Sequence, residues 1–308
     1  MQTVKLAGTD LTVSRLCMGT VNFGTALDEC RVDEHLNRFL EYGGNFVDTA
    51  HVYSDWIPGE KSRSEKMLGR WIRRHRREDL VVCTKGGHYD FDAPEVCRVT
   101  PEQLTRDLHE SLDFLQTDYI DLYMLHRDNP ELPVSEIVDC LDTFIRAGQV
   151  RYAACSNWTA RRTAEAIAYA KQTGKAPFVV NELLWSMAEP NTEALPASYV
   201  VMDPEMMRLG TESRLNFMCF SALAKGYLTR RCAGKPISEE LHRTYDNKHN
   251  EQLLEKLKTL GSARDVTHAS LRYFAGQPVT AIPIVTFSTT EQLTECAEAF
   301  AEDGGTGK

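Results

Sequence analysis

The chain has 308 residues, a hydrophobic fraction of 42% and a formal net charge of −9. The negative charge repels phosphate backbones, so nucleic acid is not an expected partner. No apolar run approaches the roughly 18 residues that a membrane-spanning helix needs, and residues 1–5 lack the apolar core of a signal peptide. We therefore expect a cytoplasmic protein without a membrane partner. The nine cysteines show no metal-ligand spacing, which predicts reduced thiols and no metal site.

Short β-prone runs alternate with amphipathic helical segments along the chain. A hairpin is predicted over residues 4–13, with its turn at residues 8–10. Eight strands are then predicted at residues 15–20, 46–48, 80–85, 119–126, 150–155, 178–181, 216–220 and 281–285. Helices are predicted at residues 29–42, 64–74, 100–115, 134–147, 159–173, 203–211, 251–260, 266–275 and 290–301. A polar segment over residues 221–249 lacks periodicity, which is typical of a functional or mobile connection.

This alternation predicts the α/β class and a single (β/α)8 TIM barrel over residues 1–308, with the hairpin at its bottom. A barrel of this kind needs about 250 residues, so one domain accounts for the length. No linker composition divides the chain. Residues 302–308 are predicted to be a disordered tail.

Polar side chains terminate three of the predicted strands. Asp48 ends the second strand and Tyr53 follows in the next turn, while Lys85 ends the third strand and His126 the fourth. Each residue alone has an ordinary structural explanation as a cap, a packed ring or a solvated charge. In a parallel barrel, however, all four lie on the rim where active sites assemble.

The run Gly44-Asn45-Phe46-Val47-Asp48-Thr49-Ala50-x-x-Tyr53 resembles the aldo-keto reductase pattern G-x-x-x-D-T-A-x-x-Y. The resemblance extends from about Val4 to about Phe300. It implies that Asp48, Tyr53, Lys85 and His126 form the catalytic tetrad of that family. It also implies a nicotinamide cofactor, NADP or NAD, because no side chain stores the hydride that carbonyl reduction requires. Tyr53 would donate the proton, and the Lys85 ammonium would lower the pKa of Tyr53.

The resemblance also implies a set of cofactor-binding residues on the barrel rim. No G-x-G-x-x-G motif opens a βα unit, so a Rossmann fold is not expected. Asn181 would take the place of the family's Gln, and Phe220 that of a stacking Tyr. The implied cofactor-binding residues are Gly19, Thr20, Ser156, Asn157, Asn181, Phe220, Ser221, Leu223, Lys225, Gly226, Ser288 and Gln292.

The sequence departs from the family pattern after the eighth strand. The family commonly reads I-P-x-x-G-x-R there, whereas this chain has Thr286 at the Gly position and Ser288 at the Arg position. Cys296 replaces an Asn that contacts adenine. An Arg–phosphate pair is a strong and specific contact. Its loss predicts a weak or reversed preference for NADPH over NADH, unless Lys235, Arg243 or Lys248 supplies a cation.

Aromatic residues and one arginine near the rim are candidates for the substrate pocket, with ordinary loop packing as the alternative for each. They are Phe23, Trp56, Tyr89, Arg127, Trp158 and Trp185. Three functions remain open. The first is a nicotinamide-dependent oxidoreductase acting on aldehydes, ketones or sugar-like carbonyls. The second is a non-catalytic or weakly catalytic protein of the same fold that senses the cofactor, like the family's channel-associated β subunits. The third is a barrel aldolase with Lys85 as a Schiff base.

Overall fold

The computed structural model describes residues 1–301, so the predicted tail at 302–308 lies outside the described residues. A two-stranded antiparallel hairpin comes first, and eight parallel strands then close into a barrel in the order β10-β3-β4-β5-β6-β7-β8-β9. The hairpin strands are β1 (Thr3–Lys5) and β2 (Thr12–Ser14). The barrel strands are β3 (Cys17–Gly19), β4 (Phe46–Asp48), β5 (Val81–Gly86), β6 (Ile120–Leu125), β7 (Val150–Ser156), β8 (Val180–Leu184), β9 (Asn216–Phe220) and β10 (Ala281–Val285). The predicted (β/α)8 fold with its N-terminal hairpin is confirmed.

Helices surround the barrel and begin and end at residues that suit helix termini. Pro101 opens one helix behind Thr100, whose side chain accepts a hydrogen bond from the Gln103 amide. Gly174 ends another in the left-handed conformation. The helices are α1 (Glu29–Glu41), α2 (Arg63–Ile72), α3 (Pro101–Leu115), α4 (Val134–Arg146), α5 (Ala160–Thr173), α6 (Pro204–Ser213), α7 (Tyr227–Cys232), α8 (Glu239–Tyr245), α9 (Lys248–Leu257), α10 (Ala263–Ala275) and α11 (Thr290–Glu298). Within residues 1–301, no helix is both long and apolar enough to cross a membrane.

Residues 221–249 differ from the prediction of an aperiodic connection. They form a short 3-10 turn, helices α7 and α8 and the start of α9. Tyr227, Leu241 and Tyr245 pack with Leu254 and Val266 in a separate hydrophobic cluster outside the barrel. The prediction was wrong because these helices are too short to show a helical periodicity in the sequence. Their apolar residues pack against one another between helices and do not form one long amphipathic face.

Side chains alternate between the barrel interior and the surrounding helices, as the strand period of two requires. Phe46, Cys83 and Met124 belong to the interior cluster, which the hairpin residues Leu6 and Leu11 join. The side chain two positions after an interior residue therefore faces the interior again, closer to the carboxyl ends of the strands. This geometry places one residue from each strand at the mouth of the barrel, or, for β6, the residue directly after the strand. They are Gly19, Asp48, Lys85, His126, Ser156, Glu182, Phe220 and Ile284.

Candidate active site

A cavity of about 380 Å³ opens at the carboxyl ends of the strands. Asp48, Tyr53 and His126 contribute to its wall, together with the strand-end residues Ser156 and Phe220. The remaining lining residues are Gly19, Val21, Val52, Trp56, His88, Tyr89, Phe91, Arg127, Asn157, Glu182, Tyr199, Ser221, Ile284 and Thr286. The structure therefore brings the polar strand ends together around one cavity.

Lys85 connects the predicted acid and the neighbouring carboxylate. Its ammonium is fully buried and donates to Asp48 Oδ1 at 2.5 Å, to Tyr53 Oη at 3.1 Å and to the Thr49 carbonyl oxygen at 3.1 Å. An ammonium has three hydrogens, so these three bonds use its whole donor capacity. The Tyr53 hydroxyl in turn donates to Asp48 Oδ2 at 3.4 Å.

The charges around Lys85 set the protonation of the group. Burial alone would lower the pKa of Lys85, but the carboxylates of Asp48 and Glu182 outweigh burial and hold that pKa well above its ordinary value. Burial raises the pKa of Tyr53, with Asp48 adding to the rise and Lys85 opposing it. The net effect raises the pKa of Tyr53, so the prediction that Lys85 lowers this pKa overall was wrong. The difference arises because burial was not visible in the sequence. At neutral pH the phenol is protonated and the ammonium is charged.

His126 completes the group as a neutral imidazole. Burial, His88 and the cations of Arg127 and Lys85 lower its pKa well below 6.5. Its ring lies 5.9 Å from the Tyr53 ring and 4.6 Å from the His88 ring, measured between centroids. Burial also lowers the pKa of His88 to about 4. Both imidazoles are therefore uncharged hydrogen-bonding groups in the cavity wall at neutral pH.

The predicted cofactor-binding residues at strands β3 and β7 have different surroundings. Gly19, Ser156 and Asn157 line the cavity. Thr20 is fully buried outside the lining, where its hydroxyl donates to the Asp48 carbonyl oxygen at 2.9 Å. Asn157 adopts a left-handed backbone (φ 58°), and its Oδ1 accepts from the Val200 amide at 3.1 Å. Asn157 therefore anchors the segment that carries Tyr199 into the cavity wall.

Asn181 does not reach the cavity. Its side chain is fully buried between the barrel and the helices, and its Nδ2 donates to the Trp158 carbonyl oxygen at 2.9 Å. The strand predicted over residues 178–181 lies at Val180–Leu184 in the structure, as β8. Because neighbouring side chains face opposite sides of a strand, Glu182 takes the interior position that Asn181 was expected to fill.

The loop after β9 contains a cluster of left-handed residues. Ser221, Ala224, Lys225 and Gly226 all have φ between 48° and 81°. Ser221 lines both the main cavity and a neighbouring cleft of about 350 Å³ that carries Lys225 and Arg243. Lys225 is exposed and pairs with Glu240 at 2.6 Å, while Leu223 packs partly buried against the core. Sparsely populated backbone conformations concentrate at functional loops.

The segment after β10 is polar and uncharged. Ser288 is exposed, and its amide donates to the Gln292 Oε1 at 2.9 Å. A cation from another element lies close by, since Arg31 of α1 donates to the Ser288 carbonyl oxygen at 2.9 Å. The sequence alone did not indicate that α1 brings an arginine to this position.

The predicted substrate residues separate into two groups. Trp56, Tyr89 and Arg127 line the cavity, and Trp56 stacks edge-on against Phe91. Phe23, Trp158 and Trp185 lie buried in the hydrophobic core between barrel and helices and do not line the cavity. Large aromatic side chains after strands were interpreted as rim residues, but these three fill the space between barrel and helices.

One group of potential metal ligands lies away from the cavity, at His51, Asp107 and Glu110. His51 Nε2 bonds Glu110 Oε2 at 2.8 Å, and Asp107 accepts from the Gly87 amide at 2.8 Å and pairs with Arg98. Burial opposes protonation of His51, but the surrounding carboxylates raise its pKa overall. The negative charges are thus already compensated by protein cations.

A closed parallel barrel with titratable side chains at its carboxyl rim is the architecture of a barrel enzyme. The sequence model of the Aldo/keto reductase family matches residues 15–303. The chain belongs to the aldo/keto reductase family.

Relatives of this chain have oxidoreductase names. The chain is 30% identical to the uncharacterized oxidoreductase YrpG of Bacillus subtilis, with 97% of this chain and 91% of that protein covered. It is 29% identical to the norsolorinic acid reductase stcV of Emericella nidulans over 94% of this chain and 74% of that protein. It is also 29% identical to an aryl-alcohol dehydrogenase [NADP(+)] of Phanerodontia chrysosporium, over 60% of this chain and 51% of that protein. Family and relatives together support an oxidoreductase that reduces carbonyl groups.

Proposed function

We propose that this protein transfers a hydride between NADPH or NADH and an aldehyde, ketone or sugar-like carbonyl, with Tyr53 as the general acid and base. The observation that carries the proposal is the placement of the buried Lys85 Nζ between Asp48 Oδ1 and Tyr53 Oη, two residues that line an open cavity. This arrangement gives a proton donor, a fixed cation beside it and room for a reacting carbonyl. The chemistry follows from these three features.

In the direction of reduction, Tyr53 gives its proton to the carbonyl oxygen as that oxygen gains negative charge. The raised pKa of Tyr53 keeps the phenol protonated at neutral pH and so favours reduction. The Lys85 ammonium stabilises the phenolate that remains after proton transfer. Oxidation of an alcohol needs the phenolate first, so we expect it to dominate only at higher pH.

His126 orients the substrate in this proposal. A neutral imidazole can donate one hydrogen bond to the carbonyl oxygen without delivering a full charge. Its lowered pKa supports the neutral form. His88 packs edge-on beside His126 in the cavity wall.

The bound cofactor supplies the hydride, and the residues present fit a nicotinamide. The Ser156 hydroxyl offers a polar contact, and the Phe220 ring offers a flat apolar face. Glu182 Oε2 is buried with no hydrogen-bond partner in the described chain. The left-handed loop from Ser221 to Gly226 would follow the pyrophosphate, with Lys225 and Arg243 as the nearest cations of the adjoining cleft.

Aromatic carbonyls are the substrate class that the cavity wall favours. Four aromatic side chains line the cavity, and flat rings stack well against such side chains. They are Trp56, Tyr89, Phe91 and Tyr199. Relatives named aryl-alcohol dehydrogenase and norsolorinic acid reductase support the same class. Arg127 adds a cation that would attract an acidic substituent.

The alternatives make different chemical demands. A Schiff base requires a neutral amine, whereas the carboxylates around Lys85 keep it charged, so the aldolase hypothesis loses support. A sensor protein would bind the cofactor without turnover. We would mix the protein with NADPH or NADH and a panel of aryl and aliphatic aldehydes, and follow the absorbance band of the reduced nicotinamide. Cofactor binding without any consumption would favour the sensor.

A further inference from the structure

Glu182 is a buried carboxyl group on the cavity wall for which the mechanism above has no use. Its side chain is 5% exposed, and its Oε2 lies 3.4 Å from Lys85 Nζ. That distance is long for a charge-assisted hydrogen bond. The three hydrogens of Lys85 are already given to Asp48, Tyr53 and the Thr49 carbonyl oxygen. Glu182 Oε2 accordingly has no hydrogen-bond partner within residues 1–301.

The charges do not balance if both carboxyl groups are ionised. Lys85 contributes one positive charge, whereas Asp48 and Glu182 together contribute two negative charges in a buried site. Asp48 takes the short bond to the ammonium, so Glu182 is the carboxyl group that loses least by holding a proton. Burial and the Asp48 carboxylate raise the pKa of Glu182 to about 8, although Lys85 opposes the rise.

Other charged or titratable groups also face Glu182 from the surrounding strands. Its electrostatic neighbours are Asp48, Tyr53, Lys85, Cys17, Cys83 and Cys219. Burial raises the pKa of the three thiols well above the ordinary value, so they stay neutral. The balance therefore depends on Asp48, Lys85 and Glu182, with Tyr53 as a neutral phenol.

We propose that Glu182 holds a proton in the cofactor-free protein and in its complex with reduced nicotinamide, and releases that proton to solvent when the cationic oxidised ring binds. The inference rests on the proposed function, because it requires the nicotinamide to occupy this cavity. A positive ring takes over the compensating role of the proton, and the carboxylate forms without net charge in the cavity. The neutral reduced ring offers no such compensation.

Binding of the oxidised cofactor then depends on pH. Since a proton leaves on binding, the dissociation constant of the oxidised cofactor should fall about tenfold per pH unit between roughly pH 6 and 8. The dissociation constant of the reduced cofactor should stay nearly constant over that range. The ionisation of Glu182 thus distinguishes the oxidised from the reduced nicotinamide ring on binding, and it does not involve the phosphate groups of the cofactor.

Titration calorimetry in two buffers of different ionisation enthalpy counts the released protons directly. At pH 7 the wild-type protein should release close to one proton per oxidised cofactor bound, and almost none per reduced cofactor. Glu182→Gln keeps the shape and removes the ionisable group, so it should release no proton with either form. Its affinity for the oxidised form relative to the reduced form should fall about tenfold.

Glu65→Gln is the matched control. Glu65 is also fully buried, its pKa is raised by burial, and it accepts from the Thr84 hydroxyl at 2.5 Å, outside the cavity lining. This variant should release the same proton as wild type. Equal proton release for both redox forms in wild type, or unchanged release in Glu182→Gln, would overturn the inference while the proposed function stands. Failure of the wild-type protein to bind either cofactor would overturn both.

Discussion

The two ends of the candidate cofactor site differ in how their polar groups are paired. At the carboxyl ends of β4 and β5, Asp48 and Tyr53 are hydrogen-bonded to the fully buried ammonium of Lys85. At the start of α11, Ser288 and Gln292 are exposed and bond mainly each other. The first end is built for chemistry in low dielectric. At the second end the side chains of Ser288 and Gln292 are neutral, and the nearby cation, Arg31, is bonded to the Ser288 carbonyl oxygen. Removing a polar group should therefore reduce stability or turnover most at the first end, and adding a charged group should increase cofactor affinity most at the second end.

Lys85→Met should give the largest loss. It leaves the buried Asp48 carboxylate without its cation, and breaking a buried pair costs roughly 3–5 kcal/mol of unfolding free energy. Where the variant folds, alcohol oxidation should set in at higher pH than in wild type, because the Tyr53 phenolate loses its cation. Denaturant unfolding and a pH–rate profile measure the two effects.

Asp48→Asn is the companion variant to Lys85→Met. It removes one carboxylate but keeps the ammonium charged beside Tyr53, so the shift of the oxidation profile should be smaller. Wild-type pH profiles in both variants would show that the cation does not act on Tyr53.

Tyr53→Phe tests the same end through turnover alone. The ring and its packing remain while the proton is lost, so kcat should fall by about 10² or more, the scale of a lost general acid. Cofactor affinity measured by fluorescence titration should change little. A variant with near-wild-type turnover would remove Tyr53 from the mechanism.

Ser288→Arg tests the other end by adding a cation. Neutral hydrogen bonds contribute about 1 kcal/mol each and charge-assisted ones roughly twice as much, so the variant should favour NADPH by about 1.5–3 kcal/mol, or roughly 10- to 150-fold. Dissociation constants for both cofactors measure the change.

Two arginines bear on the Ser288 prediction: Arg31, which only the structure shows to be close, and Arg243, which the sequence had already suggested. If wild type already binds NADPH a hundredfold tighter than NADH, the comparison of the two ends fails. Arg31, which contacts the Ser288 carbonyl oxygen, and Arg243 in the adjoining cleft are then the cations to replace.

Glu182→Gln should change how stability depends on pH, with its smallest effect at about pH 5. Burial raises the pKa of Glu182 from 4.5 to about 8, so the folded state binds a proton more tightly than the unfolded chain. Wild type therefore loses stability as pH rises from about 5 to 8, through the interval between the unfolded and folded pKa values. The glutamine variant lacks this loss, so its advantage in melting temperature should grow over that interval. A constant difference would mean that Glu182 is already ionised.

The sequence was sufficient to predict the barrel and the residues to which the proposed mechanism assigns the proton transfer and the orientation of the substrate. Asp48, Lys85 and His126 each follow an apolar run of strand length. Because parallel strands of a barrel end on the same rim, the sequence was enough to place these three side chains there. Glu182 was missed because the strand was predicted to end at residue 181, whereas β8 ends at Leu184. Neighbouring side chains of a strand point to opposite faces, so an error of an odd number of residues assigns the wrong side chain to the barrel interior. Trp158 and Trp185 look like rim aromatics in sequence, and only the packing of helices on the barrel shows that they are buried.

Hydride transfer between cofactor and carbonyl carbon is the central claim, and isotope labelling tests it most directly. Reduced cofactor carrying deuterium at its reactive carbon would be incubated with an aryl aldehyde and the wild-type protein, with Tyr53→Phe as the control. We predict that the alcohol formed by wild type carries the deuterium at the former carbonyl carbon, and that the variant forms far less product. Tight cofactor binding with no deuterium transferred to any carbonyl of the panel would contradict the account.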